Sequence, residues 1–185
     1  MKFYLIVLEG TDCCGKTTVS KLLQQKLSPS IRMAFPDRTT EIGDLLDRFL
    51  KKKLVLTPIE THLLYSANRY EKASFIKKTL ETSHIICDRY WLSGTVYSTA
   101  KGLDYNWCKI VDEKLPKADY TFFIDVDPKV TSERSTFGPE AHDKIEFQTE
   151  VYRIYKEKLK EEGVISIESG KTPEEIAESI LSYLN

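Results

Sequence analysis

Several things are scarce or missing in this chain, and each absence removes a class of function. Its 185 residues include four cysteines and three histidines. Cys13, Cys14, Cys87 and Cys108 form no C-x-x-C pair, so neither a zinc site nor a dithiol redox motif is signalled. Cys13 and Cys14 are neighbours that cannot easily bridge each other, and Cys87 sits in an apolar run that reads as core. Charge of one sign is not in excess: 27 Lys and Arg against 28 Asp and Glu give a net charge of -1, which argues against a surface that coats nucleic acid. The longest apolar runs are about six residues, far short of the ~20 needed to cross a bilayer. The apolar start, Phe3 to Leu8, ends at Glu9 without a small-residue cleavage site and is too short for a signal peptide. The guanine-reading N-K-x-D of GTPase switches is absent, as are repeats and low-complexity tracts. These absences leave a single intracellular domain over residues 1–185, with no nucleic-acid or membrane partner expected. Cytoplasmic placement is the default and the nucleus the alternative.

What is present is organised around Gly10-Thr11-Asp12-Cys13-Cys14-Gly15-Lys16-Thr17, which matches the phosphate-binding P-loop pattern G-x-x-x-x-G-K-[ST]. The context agrees. An apolar, β-branched run precedes it, and Val19, Leu22, Leu23 and Leu27 follow at helical spacing. Glycines let the backbone wrap a phosphate closely, and the unpaired N–H groups of the loop and the first helical turn, including Thr18, point at an anion. Lys16 adds a charge that can follow the β- and γ-phosphates, and Thr17 offers a hydroxyl to Mg²⁺. A glycine-bearing turn that matches by accident is the weaker reading, because strand and helix stand where the motif requires them.

Strand-like and helix-like stretches then alternate, which predicts an α/β fold with a parallel sheet. Strands are expected near 3–9, 31–35, 84–90, 120–126 and 165–167. Thr57-Pro58-Ile59-Glu60 carries the capping signals of a helix that should run to about Leu80. Tyr65 and Arg69 share one face of that helix, and by themselves read best as part of a solvated face. Asp88 and Arg89 end a buried strand, where open α/β sheets bind ligands. If that strand neighbours the first, Asp88 is placed to hold a Mg²⁺-bound water and Arg89 a phosphate. Asp125 and Asp127 are alternative metal ligands if the chain is a simple ATPase. The polar stretch from Ser132 to Glu140, with Gly138-Pro139, reads as a mobile loop, and helix resumes from about Asp143 to Lys160. Thr172-Pro173-Glu174-Glu175 opens a last helix. Only seven arginines occur, and Arg38, Arg69, Arg89 and Arg134 fall at strand ends, on the helix opened by Thr57 and in the polar loop. Guanidiniums so placed suit a second phosphate group, and an Arg-bearing loop suits closure over ATP. Together they suggest phosphoryl transfer to a phosphorylated acceptor.

Over nearly its whole length the chain resembles the thymidylate kinases, in their eukaryotic form. Phe35-Pro36-Asp37-Arg38-Thr39-Thr40-Glu41-Ile42-Gly43 resembles F-P-[DE]-R-x-T-x-x-G, and His62 to Arg69 resembles the base-reading helix. Asp88-Arg89-Tyr90 with Ser93-Gly94 resembles D-R-[YH]-x-x-S-G, and Leu115-Pro116-Lys117-Ala118-Asp119 resembles L-P-x-P-D with Ala118 for the proline. Phe137 to Glu140 and Phe147-Gln148 resemble the lid.

The resemblance implies a P-loop three-layer α/β/α sandwich with a five-stranded parallel sheet and a short lid at about 134–146, acting as a homodimer on ATP, Mg²⁺ and dTMP. It implies that Gly10, Asp12, Cys13, Cys14, Gly15, Lys16, Thr17 and Thr18 bind ATP phosphates, with Thr17 and Asp88 at the metal. Lys16, Asp88, Arg89 and Arg134 would then be catalytic. Asp12 would accept from the acceptor's 3′-hydroxyl, and Arg38 and Arg89 would grip the monophosphate. Tyr65 would stack on thymine and Arg69 donate to the base carbonyl. Phe35, Ser93, Gly94 and Tyr97 would shape the nucleoside pocket. Arg134 would face ATP from the lid, and Lys171 would lie near the adenine. Two departures stand out. Cys13 takes a position usually basic in this branch, and with Ala141 in the lid the missing charge is expected from Lys144 or Arg134. His142 replaces a Tyr near the sugar. A same-fold kinase for another acceptor such as dUMP, or a non-catalytic nucleotide-binding protein, remains the alternative at this stage.

Overall fold

A computed structural model describes residues 2–132, 145–168 and 170–184. Five strands, β1 (Leu5–Glu9), β2 (Ser30–Ala34), β3 (His84–Asp88), β4 (Tyr120–Asp125) and β5 (Ile165–Glu168), form one sheet in the order β2-β3-β1-β4-β5. All four pairings are parallel, so β1 lies between β3 (Val7 opposite Cys87) and β4 (Leu8 opposite Phe122). The expected five-stranded parallel sheet is thus found, with β1 and β3 adjacent as the strand-end argument required.

The strand sequences explain why both faces are covered. Successive side chains of a strand point to opposite faces. In β1, Ile6 and Leu8 face one layer, built by α1 (Lys16–Lys26) and α9 (Pro173–Ser182) through Val19, Leu23, Ile176 and Ile180. Leu5 and Val7 face the other, with Ile76, Ile85 and Cys87. That second layer contains α3 (Pro58–Tyr70), α4 (Ala73–Thr79), α5 (Trp91–Thr99), α6 (Tyr105–Val111) and α8 (Ile145–Lys158), beside α2 (Glu41–Leu50). The short α7 (Pro128–Ser132) follows β4. Strands buried on both faces need unbroken apolar runs, which β1 and β3 supply; β2, at the edge, is only partly buried.

Both predicted capping boxes form, Thr57 with Glu60 and Thr172 with Glu175. The single helix expected over 57–80 does not: it is broken into α3 and α4 at Glu71-Lys72. No Gly or Pro marks the break. Instead both side chains serve the 37–40 loop, Lys72 Nζ lying 2.8 Å from the Asp37 carboxylate and Glu71 accepting from Thr40 Oγ1 at 2.8 Å. Among the described residues no helix is long and apolar enough to cross a membrane.

Candidate active site

The site grows from the turn after β1. Gly15 adopts φ 101°, a left-handed conformation that disfavours any side chain, and from there the chain enters α1 without a side-chain cap. The N–H groups at the start of α1 are therefore available to an anion. Lys16 is buried, and its Nζ donates to the loop carbonyls of Gly10 (3.1 Å) and Thr11 (2.6 Å). Cys14 contributes backbone to this loop. Its side chain is buried in the core beside the sheet, with Sγ 3.3 Å from Lys16 Nζ.

Register brings β3 alongside. Thr17 Oγ1 donates to the Asp88 carboxylate at 2.7 Å, joining the first turn of α1 to the strand end. Arg89 follows in a left-handed conformation (φ 68°), and its guanidinium spans the loop. Nη1 donates to Gly10 O (2.9 Å) and Ser93 Oγ (3.2 Å), Nη2 pairs with the Asp12 carboxylate, and the fork lies over the Tyr97 ring. Gln148 of α8 reads Asp12 from the other side. Its Oε1 accepts from the Asp12 N–H at 3.0 Å and its Nε2 donates to the carboxylate at 2.5 Å. Burial holds the Tyr97 phenol well above its usual pKa, so it stays a donor.

One cleft of about 610 Å³ joins these groups to the rest of the expected site. It is lined by Asp12, Cys13, Gly15, Lys16, Thr17 and Thr18 of the loop and α1, by Asp88, Arg89, Ser93, Gly94 and Tyr97, and by Phe35, Arg38, Tyr65, Arg69 and Lys101. Arg38 is exposed and paired with Asp47 at 2.8 Å. Arg69 overturns the solvated-face reading of its helix. It is 1% exposed and bound through Nε and Nη2 to Asp112, at 3.2 and 2.6 Å. Asp125 accepts from Tyr152, Lys156 and Ser166, bonds that account for it as a structural residue at the end of β4 rather than a metal ligand. Lys171 is exposed, its Nζ 3.3 Å from Ser179 Oγ, and is not among the residues lining the cleft. Arg134, Ala141, His142 and Lys144 lie outside the described residues.

The thymidylate kinase family model matches residues 8–180. The chain belongs to the thymidylate kinase family. The thymidylate kinase of Schizosaccharomyces pombe is 38% identical over 191 residues, spanning 98% of this chain and 91% of that protein. The Homo sapiens thymidylate kinase is 37% identical over 163 residues, 85% of this chain and 77% of that one. The solved structure of thymidylate kinase from Candida albicans superposes with a TM-score of 0.88 at 32% identity, covering 99% of this chain and 91% of the other.

Against this thymidylate kinase fold, three residues of the site escaped the sequence reading. Glu9 looked like the end of an apolar run. It is fully buried and accepts from the N–H groups of Tyr90 (3.0 Å) and Ser93 (3.3 Å), from Tyr155 OH (2.9 Å) and from Ser93 Oγ. A lone carboxylate closing a buried strand was the available signal. Lys101 lies at the cleft, largely desolvated, which lowers its pKa to about 8. Asp112 carried no local signal. The buried His62 bridges Ser98 Oγ (2.9 Å) and the Cys108 carbonyl (3.1 Å). A carbonyl only accepts, so Nε2 carries the proton, and burial lowers the pKa of the ring, consistent with a neutral structural imidazole.

Proposed function

We propose that the chain transfers the γ-phosphoryl group of ATP to dTMP, giving dTDP and ADP, with Mg²⁺ as cofactor. The observation that carries this reading is the continuity of the cleft: the P-loop, Arg89, Tyr65 and the buried Arg69 all line one cavity. ATP phosphates replace the loop carbonyls as partners of Lys16 and take the N–H groups at the start of α1. Thr17 and Asp88 present two hard oxygen donors 2.7 Å apart, a donor set that suits Mg²⁺, and these are the residues that would hold it. The metal would supply charge neutralisation on the phosphate oxygens. Arg38 exchanges Asp47 for the acceptor phosphate, and Arg89 sits at the transferred group. Asp12 uses its remaining lone pairs to accept from the 3′-hydroxyl; an ionised carboxylate has about four such sites.

No general base is required. The acceptor phosphate has a second pKa of about 6, so the attacking oxygen is already ionised at neutral pH. Catalysis is then alignment plus electrostatics. Arg69 has donors only, so it matches thymine O4 and opposes the amino group of cytosine. The methyl that distinguishes thymine from uracil contributes about 1–3 kcal/mol. ADP release in a coupled assay with Mg²⁺-ATP should therefore be fastest with dTMP. With dUMP, kcat/KM should be about 10–200-fold lower, and with dCMP or AMP lower again. ADP release that ignores the acceptor would refute the assignment.

A homodimer is part of the same proposal. Ile59 and Leu63 of α3 and Trp107 and Ile110 of α6 are apolar yet exposed on helices that pack together, Ile110 at 64%. Sedimentation equilibrium should return twice the mass of one chain, and a monomer at micromolar concentration would contradict it.

A further inference from the structure

Resting on the proposed acceptor specificity, the geometry points to Asp112 as the positioning residue for base selection: it aims Arg69. The two side chains form a two-point ion pair, Nε to Oδ1 at 3.2 Å and Nη2 to Oδ2 at 2.6 Å, and their side chains are 2% and 1% exposed. Asp112 is itself held. It caps the C-terminus of α6, and Ser66 Oγ donates to its Oδ1 at 2.7 Å. The neighbouring turn is fixed from α3, where Tyr70 OH donates to Val111 O at 3.0 Å and accepts from Lys114 N at 3.2 Å.

The guanidinium has a second constraint. A Cβ built on Gly94 of α5 would lie 2.6 Å from Nη2, 2.7 Å from Nη1 and 2.9 Å from Cζ of Arg69. Cζ is the farthest of the three, so that Cβ would stand off the Nη1/Nη2 end of the fork: this end abuts the α5 backbone and only glycine fits against it. The Nε/Nη2 edge is bound to Asp112 and the Nη1/Nη2 end abuts Gly94. Nη1 is the donor that makes no bond to Asp112, and Arg69 lines the cleft. A fork fixed on two sides holds its remaining Nη1 donors in one orientation, and donors so held separate a carbonyl from an amino group. A fork free to turn would offer several donors along several directions and could also meet the cytosine carbonyl.

Energetics support orientation over stability as the role of the pair. A buried ion pair contributes about as much as an apolar pair of the same volume, or less, whereas removing one partner strands a charge. The separation of 43 residues between Arg69 and Asp112 ties α6 to the base-facing helix.

The test is steady-state kinetics at saturating ATP with dTMP and with dCMP, for the wild type, Asp112→Asn, Arg69→Met and the double variant, each checked by thermal melting. The wild type should prefer dTMP by about a hundredfold or more in kcat/KM. Asp112→Asn should lower that preference at least about tenfold, raise KM for dTMP and leave KM for ATP unchanged. Arg69→Met should lose at least as much, and adding Asp112→Asn to it should remove nothing further, because Asp112 acts through Arg69. Asp112→Glu, which keeps the charge but shifts the fork, and Arg69→Met/Asp112→Leu, which buries no charge, carry the test if Asp112→Asn fails to fold. The first should lose preference, and the second should match Arg69→Met. An intact preference in a folded Asp112→Asn or Asp112→Glu, or losses that multiply in the double variant, would overturn the assignment of Asp112 alone. A wild type without dTMP turnover would overturn the functional reading and this one with it.

Discussion

Arg89→Ala should lower kcat for dTMP by about 10³-fold or more, the scale expected when a preorganised cationic donor is removed from a phosphoryl-transfer site. The reason lies in what the guanidinium joins. It bonds the first P-loop carbonyl, Gly10 O, at 2.9 Å and pairs with the Asp12 carboxylate, while Ser93 Oγ fixes its other edge at 3.2 Å. A planar fork can serve all of these at once; the single ammonium of Arg89→Lys cannot, so that variant should also lose most activity. The backbone provides a separate check. A non-glycine residue at φ 68° carries strain of about 1–3 kcal/mol. Arg89→Gly should therefore melt above Arg89→Ala, although both are inactive. Turnover within tenfold of wild type in Arg89→Ala would remove Arg89 from the reaction.

Glu9→Ala should destabilise the fold by about 3–5 kcal/mol, measured by urea unfolding, and reduce turnover in whatever fraction remains folded. Tyr90 is the N-cap position of α5 and provides no side-chain cap. Glu9, arriving from β1, supplies the cap: its Oε1 accepts from Tyr90 N at 3.0 Å and Ser93 N at 3.3 Å. A carboxylate at a helix N-terminus satisfies orphan N–H groups and opposes the dipole. Its other oxygen takes the hydroxyls of Ser93 and Tyr155. Truncation leaves several buried donors unmade, each at about 1–3 kcal/mol, with partial relaxation. The effect reaches the chemistry because Ser93 Oγ also accepts from Arg89. Glu9→Gln keeps both acceptor positions for the N–H groups and should lose only about 1–2 kcal/mol. A loss under about 1 kcal/mol for Glu9→Ala would mean that water replaces the carboxylate, and the capping argument would fail.

What was legible in the sequence was what is local. Strand, P-loop and helix are contiguous, and Asp88-Arg89 could be placed beside them because a buried strand ending in charge has few other positions in a parallel sheet. The capping boxes of α3 and α9 depend on residues three apart and formed as read. What was misread depends on distant partners. Helical spacing alone puts Arg69 on a solvated face because it sees only its own helix, and only the family resemblance points it at the base; its counter-charge stands 43 residues away. The break between α3 and α4 is tied to Asp37 and Thr40, and Asp12 meets Gln148 across 136 residues. Cys14 and Cys13 look equivalent in the loop, yet one is in the core and the other lines the cleft. Buried polar contacts between elements leave no periodic trace, so Asp112 emerges only when the elements are packed, and Glu9 shows only as a lone carboxylate closing an apolar strand.

The most direct test of the central claim follows the transferred group itself. The chain is incubated with Mg²⁺, ATP labelled at the γ-phosphate and dTMP, and the products are separated. Label recovered on dTDP, mole for mole with ADP, is the result predicted here. Label recovered as inorganic phosphate with dTMP unchanged would mean that the cleft hydrolyses ATP without delivering it to the acceptor, and would contradict the account.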